Sequence, residues 1–215
     1  MADETSYSWR AGDGTRIRVA VEPSYIYSNV CRFVSEPPLY PGGAIHVASL
    51  QIDKAAYSPL VQRIFGLDGI TDVLVAGDSV TVTTSQPAEW DELGAAVAQA
   101  IREQIESGVA AVSPDHKRAL PAPEAIRKKV QKLIDEAVSP AVAGHGGRVT
   151  LLDVIENNLY LEFGGGCQGC GMSHVTLKYG VERLIREHVP EVGEIFDTTD
   201  HAGGKNPYYQ PAPGR

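Results

Sequence analysis

A proline-rich segment near the middle of the chain constrains the fold most. It runs Ser113-Pro114-Asp115-His116-Lys117-Arg118-Ala119-Leu120-Pro121-Ala122-Pro123. Its prolines fix φ and lack an N–H donor, so they interrupt helices and sheets and favour an extended, partly stiff connection. We therefore predict an α+β chain with two small α/β-layer domains, residues 15–110 and 123–200. A linker over residues 111–122 joins them, and a loosely held tail over 201–215 follows.

Periodic patterns predict the elements of the N-terminal half. Residues 79–83 alternate as a half-buried strand, and a turn joins them to residues 72–75, which predicts a hairpin. A short helix is predicted over Pro59–Phe65. A longer helix beginning after Pro87 places five apolar side chains on one face, namely Trp90, Leu93, Val97, Ile101 and Ile105.

The C-terminal half has a different order of patterns. A helix begins at Pro123 and carries an apolar stripe of Ile126, Val130, Leu133, Ile134 and Ala137, and Pro140 and Gly144 end it. Two strands follow, over residues 148–155 and 159–163. A second helix stops before Pro190 and presents Leu177, Val181, Leu184 and Ile185 on one side, and residues 194–198 form a last strand. The predicted order is helix, strand, strand, CxxC loop, helix, strand.

The charge and the cysteine count exclude several classes of protein. A formal net charge of -8 repels nucleic-acid phosphates and anionic membrane surfaces. The acidic, polar start of the chain fits neither a secretory signal nor a transit peptide, and no apolar run reaches the length of a membrane-spanning helix. Three cysteines are too few for a secreted disulfide framework and suit a reducing compartment. We expect a cytoplasmic protein with neither a nucleic-acid nor a membrane partner.

A glycine-rich cysteine loop lies between a predicted strand and a predicted helix. It reads Gly164-Gly165-Gly166-Cys167-Gln168-Gly169-Cys170-Gly171, and its glycines let the backbone approach a bulky ligand closely. Backbone N–H groups in such a loop and at the helix start favour thiolates over thiols. Cysteines must be deprotonated to ligate iron or zinc. Cys167 and Cys170 are therefore the candidate metal ligands.

Two cysteines leave a four-ligand metal site incomplete. Within the chain, the other candidates are Cys31 and six histidines, of which His174 is nearest in sequence. A polar residue in the first turn of an exposed helix is usually only solvated, which disfavours His174. A second copy of the chain would supply an identical pair by two-fold symmetry.

Two further motifs follow the cysteine pair. Cys167-Gln168-Gly169-Cys170 is followed by Thr176-Leu177-Lys178-Tyr179-Gly180-Val181-Glu182 and Pro190-Glu191-Val192. This order resembles the C-terminal domain of the Nfu/NifU family, whose pattern is a CxxC pair, then TLKxGIE, then PEV. Val181 stands where the family usually has isoleucine. The tail from His201 to Tyr209 resembles bacterial members. The N-terminal half resembles the Nfu N-terminal domain through Asn29-Val30-Cys31-Arg32-Phe33 and Ser58-Pro59-Leu60-Val61-Gln62-Arg63-Ile64-Phe65.

This resemblance implies a scaffold or carrier for a labile 4Fe-4S cluster, with 2Fe-2S as the second choice. Two protomers would each give one pair, Cys167 and Cys170, and the cluster would pass to apo iron-sulfur clients after delivery by an upstream assembly scaffold. The N-terminal domain would serve partner recognition.

Two other functions of the CxxC pair compete with the carrier. A thiol-disulfide oxidoreductase using the same CxxC is the main alternative, but its pair normally starts a helix early in the domain and follows an aromatic residue. A zinc module would normally show a second CxxC or a His pair.

Cys31 lies among apolar neighbours, which predicts a buried, inert thiol. The basic run 127–129 with Lys132 is read as a solvated helix face, with docking as the alternative. No nucleophile or phosphate-loop motif occurs, so we expect no enzyme.

Overall fold

The computed structural model describes residues 5–144, 146–165 and 171–198. The chain forms two compact units, an N-terminal unit over Met1–Leu120 and a C-terminal unit over Pro121–Arg215. Each unit has its own hydrophobic core. The predicted α+β class with two small domains is confirmed.

The N-terminal unit is built on a six-stranded sheet in the order β1-β2-β3-β6-β5-β4. All neighbouring strands pair antiparallel. The predicted hairpin is confirmed as β5 and β6, in which Val75 lies opposite Val80. The strands are β1 (Thr5–Arg10), β2 (Arg16–Pro23), β3 (Val30–Glu36), β4 (Tyr40–Ala48), β5 (Ile70–Gly77) and β6 (Ser79–Thr84).

Helical elements bury the apolar face of this sheet. They are a 3-10 segment over Ser49–Tyr57, α1 (Pro59–Phe65) and α2 (Trp90–Glu106). Helix α2 packs on β2 and β3, and α1 packs on β5. Both predicted helices are confirmed, and Val97 and Ile101 of the α2 stripe are fully buried. The side chain of Ser58 caps α1 by accepting a hydrogen bond from the Val61 N–H at 3.1 Å.

The segment that begins the predicted linker is anchored on the N-terminal unit. Ala111 and Val112 are buried in its core. The Ser58 hydroxyl donates to the Ala111 carbonyl at 2.5 Å, and the Ser113 N–H donates to the Tyr57 carbonyl at 2.7 Å. These contacts fix the chain where the sequence predicts the start of an extended, partly stiff linker.

The expectation of an extended connection is wrong over helix α3 (Pro114–Ala119). Pro114 occupies the start of the helix, where a missing N–H costs nothing, and the Ser113 side chain caps it. His116 is buried between the rings of Tyr40 and Tyr57, with centroid distances of 6.1 and 5.6 Å. Its Nδ1 lies 3.3 Å from the Tyr40 hydroxyl. The structured unit also starts before residue 15, because β1 pairs with β2.

A long helical stretch opens the C-terminal unit. It consists of α4 (Pro123–Leu133), a π-helical turn over Ile134–Val138 and α5 (Ser139–Ala143). Pro140 does not end the helix; the stretch continues to Gly144. The wider π turn precedes Pro140 and accommodates a ring that would clash inside regular α-helix. Val138 and Val142 extend the buried stripe beyond the predicted residues.

A three-stranded sheet and one more helix complete this unit. The elements are β7 (Gly147–Ile155), β8 (Asn158–Gly165), α6 (Gly171–His188) and β9 (Ile195–Asp197). Strand β7 pairs antiparallel to β8, and β9 pairs parallel to β8. The predicted order of helix, two strands, helix and strand is confirmed. The cysteine loop and the tail over 201–215 lie outside the described residues, and the separate roles of the two domains stay a prediction.

Over the ranges that the structure describes, no helix is both long enough and apolar enough to cross a membrane.

Candidate functional site

The two predicted ligands, Cys167 and Cys170, lie outside the described residues. The structure does describe the elements on either side of them, β8 before the loop and α6 after it. Both elements belong to the core of the C-terminal unit. These two elements flank the candidate site in the chain.

Strand β8, which precedes the loop, is held by strand pairing and by the core. Leu159, Leu161 and Phe163 are fully buried on one of its faces, as the alternation predicts. Pairing with β7 continues to the last residue of the strand, where Gly165 lies opposite Gly147. Because the ladder and the buried face both hold β8, the first glycines of the loop start from a fixed point.

Helix α6, which follows the loop, is also held by the core of the C-terminal unit. Val181 and Ile185 are buried in the same core as β8. Near the end of the helix, Arg186 Nη1 donates to the Gly193 carbonyl at 2.7 Å. A five-residue segment, 166–170, thus connects two elements that share one core.

The Pro190-Glu191-Val192 motif has a structural role. Lys129 of α4 pairs with the Glu191 carboxylate at 2.6 Å, and Asn157 donates its side-chain N–H to the Glu191 carbonyl at 2.9 Å. The Gly193 N–H donates to the Asn157 carbonyl at 2.9 Å, and Val192 is buried. The motif therefore joins α4, the β7–β8 turn and the end of α6. Sequence reasoning missed these contacts, because Lys129 and Glu191 are 62 positions apart and nothing in one sequence links them.

A charged group ties α6 to β9. Lys178 Nζ lies 3.6 Å from an Asp197 carboxylate oxygen and 4.0 Å from a Glu182 carboxylate oxygen. Burial raises the pKa of Glu182, and Asp197 raises it further, while Lys178 and Arg186 oppose the shift. Lys178 and Glu182 belong to the motif after the cysteines, so this part of the motif also positions the helix.

Cys31 is the one cysteine that the structure describes in detail. Its side chain faces the core from β3 with 0% exposure. Burial raises the pKa of its thiol to about 12. A protonated, inaccessible thiol is a poor ligand. The predicted burial of Cys31 is confirmed, and its inertness stays a prediction.

Two predicted features remain, the candidate ligand His174 and the basic run 127–129 with Lys132. His174 lies on α6, and its side chain is outside the described part of the structure. In the three described ranges, no group of three or more His, Cys, Asp and Glu side chains is arranged to hold a metal ion. Arg127 pairs with Asp153 and Lys129 with Glu191, which favours a structural role for the basic run over docking.

Each of the two units matches a known protein family. Residues 27–108 match the family described as "Scaffold protein Nfu/NifU N terminal", and residues 130–196 match the "NifU-like domain". Together the two matches cover more than half of the chain, and the second spans both loop cysteines. This chain belongs to the Nfu/NifU family.

Curated relatives support the assignment. "Fe/S biogenesis protein NfuA" of Pseudomonas savastanoi pv. phaseolicola is 46% identical over 88 residues, which are 39% of this chain and 45% of that protein. The protein of the same name from Pseudomonas aeruginosa is 46% identical over 85 residues, 39% of this chain and 44% of that protein. This Nfu/NifU chain thus spans less than half the length of the curated relatives it matches.

A solved NifU-like protein from Saccharomyces cerevisiae is similar over 46% of this chain and 86% of its own, at 16% identity and a TM-score of 0.41. A likeness at that score adds nothing to the fold described above.

Proposed function

We propose that this protein is an iron-sulfur cluster carrier that binds a labile 4Fe-4S cluster through Cys167 and Cys170. The observation that carries the proposal is the NifU-like match over residues 130–196, which includes both cysteines. The names of the NfuA relatives, which denote Fe/S biogenesis, support it. The cluster is cargo, and the protein acts as a carrier rather than a catalyst.

The ligand count argues for two protomers. Four thiolates hold a cubane cluster, and one loop supplies two. A second copy related by a two-fold axis supplies the other pair without any further residue type. Cys31 does not complete the set from within the chain, because its buried thiol stays protonated.

Transfer then proceeds by ligand exchange. A client thiolate attacks one iron and displaces one cysteine thiolate of the carrier, so the number of thiolates on that iron is unchanged and no electron moves. Repeating the exchange moves the cluster from the loops to an apo iron-sulfur protein. Loading from an upstream assembly scaffold follows the same chemistry in reverse. The cytoplasm suits this function because its thiols are kept reduced.

The test is anaerobic reconstitution with iron and sulfide, read by visible absorption, iron and sulfide content, and oligomeric mass. We expect a cubane-type spectrum on a dimer for the wild type and for the control Cys31→Ala. The variant Cys167→Ala/Cys170→Ala stays colourless. A cluster-loaded monomer would refute the shared site. A colourless wild type that reduces disulfides would support the oxidoreductase alternative, and a stoichiometric zinc ion would support a zinc module.

A further inference from the structure

Three arginines gather on the outer face of the N-terminal sheet, the face opposite α2. In β2, Ile17 and Val19 are fully buried, and the alternating Arg16 and Arg18 are exposed. Side chains alternate between the two faces of a strand, so both arginines point away from the core. Arg10 of β1 lies directly opposite Arg16 in the antiparallel register and is also exposed. Opposed residues share a face, and Arg10, Arg16 and Arg18 are called the arginine corner below.

The corner concentrates charge on a small area. Directly opposite Cβ atoms lie about 5 Å apart, and alternate residues of one strand lie about 7 Å apart. Within the described residues, none of the three side chains makes a hydrogen bond or an ion pair. The acidic side chains of this face are Glu36, opposite Arg18, Glu22, which pairs with Arg32 at 3.5 Å, and Asp72 of β5, which lies 3.3 Å from His46. The face therefore carries a net positive charge on a chain whose net charge is -8.

Fold stability does not explain the placement of Arg10 opposite Arg16, whereas Arg18 lies opposite Glu36 in a favourable cross-strand pair. Like charges directly opposite one another on a sheet destabilise it, so Arg10 against Arg16 is a cost. Charged side chains on an edge strand can prevent aggregation, which would account for Arg10 on β1. It does not account for Arg16 and Arg18, because β2 lies between β1 and β3.

We propose that the arginine corner is a docking surface for a protein partner that presents a compact cluster of carboxylates. The arginine fork matches the two oxygens of a carboxylate, and charge-assisted hydrogen bonds of this kind are stronger than neutral ones. A long polyanion such as duplex DNA would extend beyond the corner and meet the acidic remainder of the chain. A local acidic cluster on a folded protein avoids that repulsion.

The corner is separate from the cluster site in sequence. It is built from β1 and β2, which precede the family match over residues 27–108. The inference deepens the proposed carrier function by giving the N-terminal unit a partner of stated chemistry. It is tested without any cluster, so either proposal can fail alone.

The test measures binding of a short, fluorescein-labelled poly-glutamate peptide to the full apo-protein by anisotropy at low salt. The variant is Arg10→Thr/Arg16→Thr/Arg18→Thr, since threonine suits strands. The matched control is Lys128→Gln/Lys132→Gln/Arg183→Gln, which removes the same charge from exposed helix positions of the other unit. Thermal melting of all three proteins monitors folding.

We expect the wild type and the control to bind alike and the arginine variant to bind roughly tenfold more weakly. Added salt weakens wild-type binding because it screens the charges. The arginine variant melts at the same temperature or higher, since a like-charge pair is gone. The proposal would be overturned if both variants bound the peptide equally weakly or if the wild type did not bind it. It would also be overturned if the wild type bound a short DNA duplex more tightly than the peptide and the three arginines were required for that binding. Reconstitution of the arginine variant gives the wild-type cluster.

Discussion

In the N-terminal unit the cysteine lies on a central strand, whereas in the C-terminal unit the two cysteines lie in a glycine-rich run between a strand and a helix. Cys31 faces a closed core, where burial raises the pKa of its thiol to about 12. Cys167 and Cys170 have five glycines around them over residues 164–171. The element that carries a cysteine therefore strongly influences its chemistry, because burial disfavours the thiolate that a metal requires.

The largest expected difference between the two regions is in thiol reactivity. At pH 8, iodoacetamide should modify Cys167 and Cys170 of the native apo-protein and leave Cys31 unmodified, as followed by mass spectrometry of peptides. A pKa near 12 leaves a thiolate fraction roughly three orders of magnitude below that of an ordinary thiol, and burial slows access further. In denaturant all three cysteines should react. Comparable rates of modification for Cys31 and the loop cysteines in the native protein would contradict the expected difference in thiol reactivity.

Matched core truncations sharpen the contrast between the units. Phe33→Ala and Phe163→Ala each remove a fully buried ring and should each cost about 3–5 kcal/mol of unfolding free energy in their own unit. Phe163 anchors the strand that leads into the cysteine loop, so only its variant should lose cluster on reconstitution.

Fluorescence separates the two transitions. Both tryptophans, Trp9 and Trp90, lie in the N-terminal unit. The fluorescence midpoint in denaturant should shift for Phe33→Ala and stay unchanged for Phe163→Ala, while far-UV circular dichroism reports both units. A fluorescence shift in Phe163→Ala would show that the units unfold together.

Acid should weaken the N-terminal unit through His116. Burial, together with the nearby charge of Lys54, lowers the pKa of His116 to about 4. The unfolded histidine titrates near 6.5, so between these values the unfolded state binds more protons. The stability contribution is present above pH 6.5 and is lost as the pH falls to 4, on the order of 2 kcal/mol.

The variant His116→Phe isolates this effect because it keeps an aromatic ring between Tyr40 and Tyr57. Fluorescence-detected unfolding from pH 7 to pH 4 should fall less steeply for the variant than for the wild type. His188→Gln, at an exposed position of the other unit, is the control and should follow the wild type. Parallel pH profiles for His116→Phe and the wild type would contradict the assignment.

The smallest expected effect concerns the ion pair between Lys129 and Glu191. Lys129→Gln should cost less than about 1 kcal/mol, because the lysine is half exposed and such pairs contribute little. Circular dichroism of the unfolding transition measures it, with the neighbouring exposed Lys128→Gln as control. A loss of several kcal/mol would mean that the motif after α6 depends on this pair more than its exposure suggests.

Local patterns were enough to predict several elements. The apolar stripe of α2, the Ser58 and Pro59 start of α1 and the alternation of β6 and β8 each reflect interactions within a few residues. Strand β1 was missed because only Tyr7 and Trp9 face the core and its other side chains are polar, so its pairing with β2 leaves little apolar pattern. Helix α3 and the passage through Pro140 were missed because contacts with Tyr40 and Tyr57, and a π turn, outweigh local proline preferences.

The candidate site was only partly accessible to sequence reasoning. The spacing of Cys167 and Cys170 among glycines indicates a metal-binding pair without any structure. The proposed four-thiolate site needs two more ligands, and a symmetry-related copy that would supply them leaves no mark in one chain. The arginine corner was also missed, because Arg10 and Arg16 become neighbours only through strand pairing.

The anchoring of residues 111–119 on the N-terminal unit determines where the protein can be divided for study. A fragment that stops at residue 110 would expose the part of the core that Val112 covers. It would also leave the Ser58 hydroxyl without its hydrogen-bond acceptor, the Ala111 carbonyl. Such a fragment would misrepresent the stability of its parent. Cutting after Leu120 keeps this packing whole, so exchanges of the C-terminal unit between relatives are best joined there.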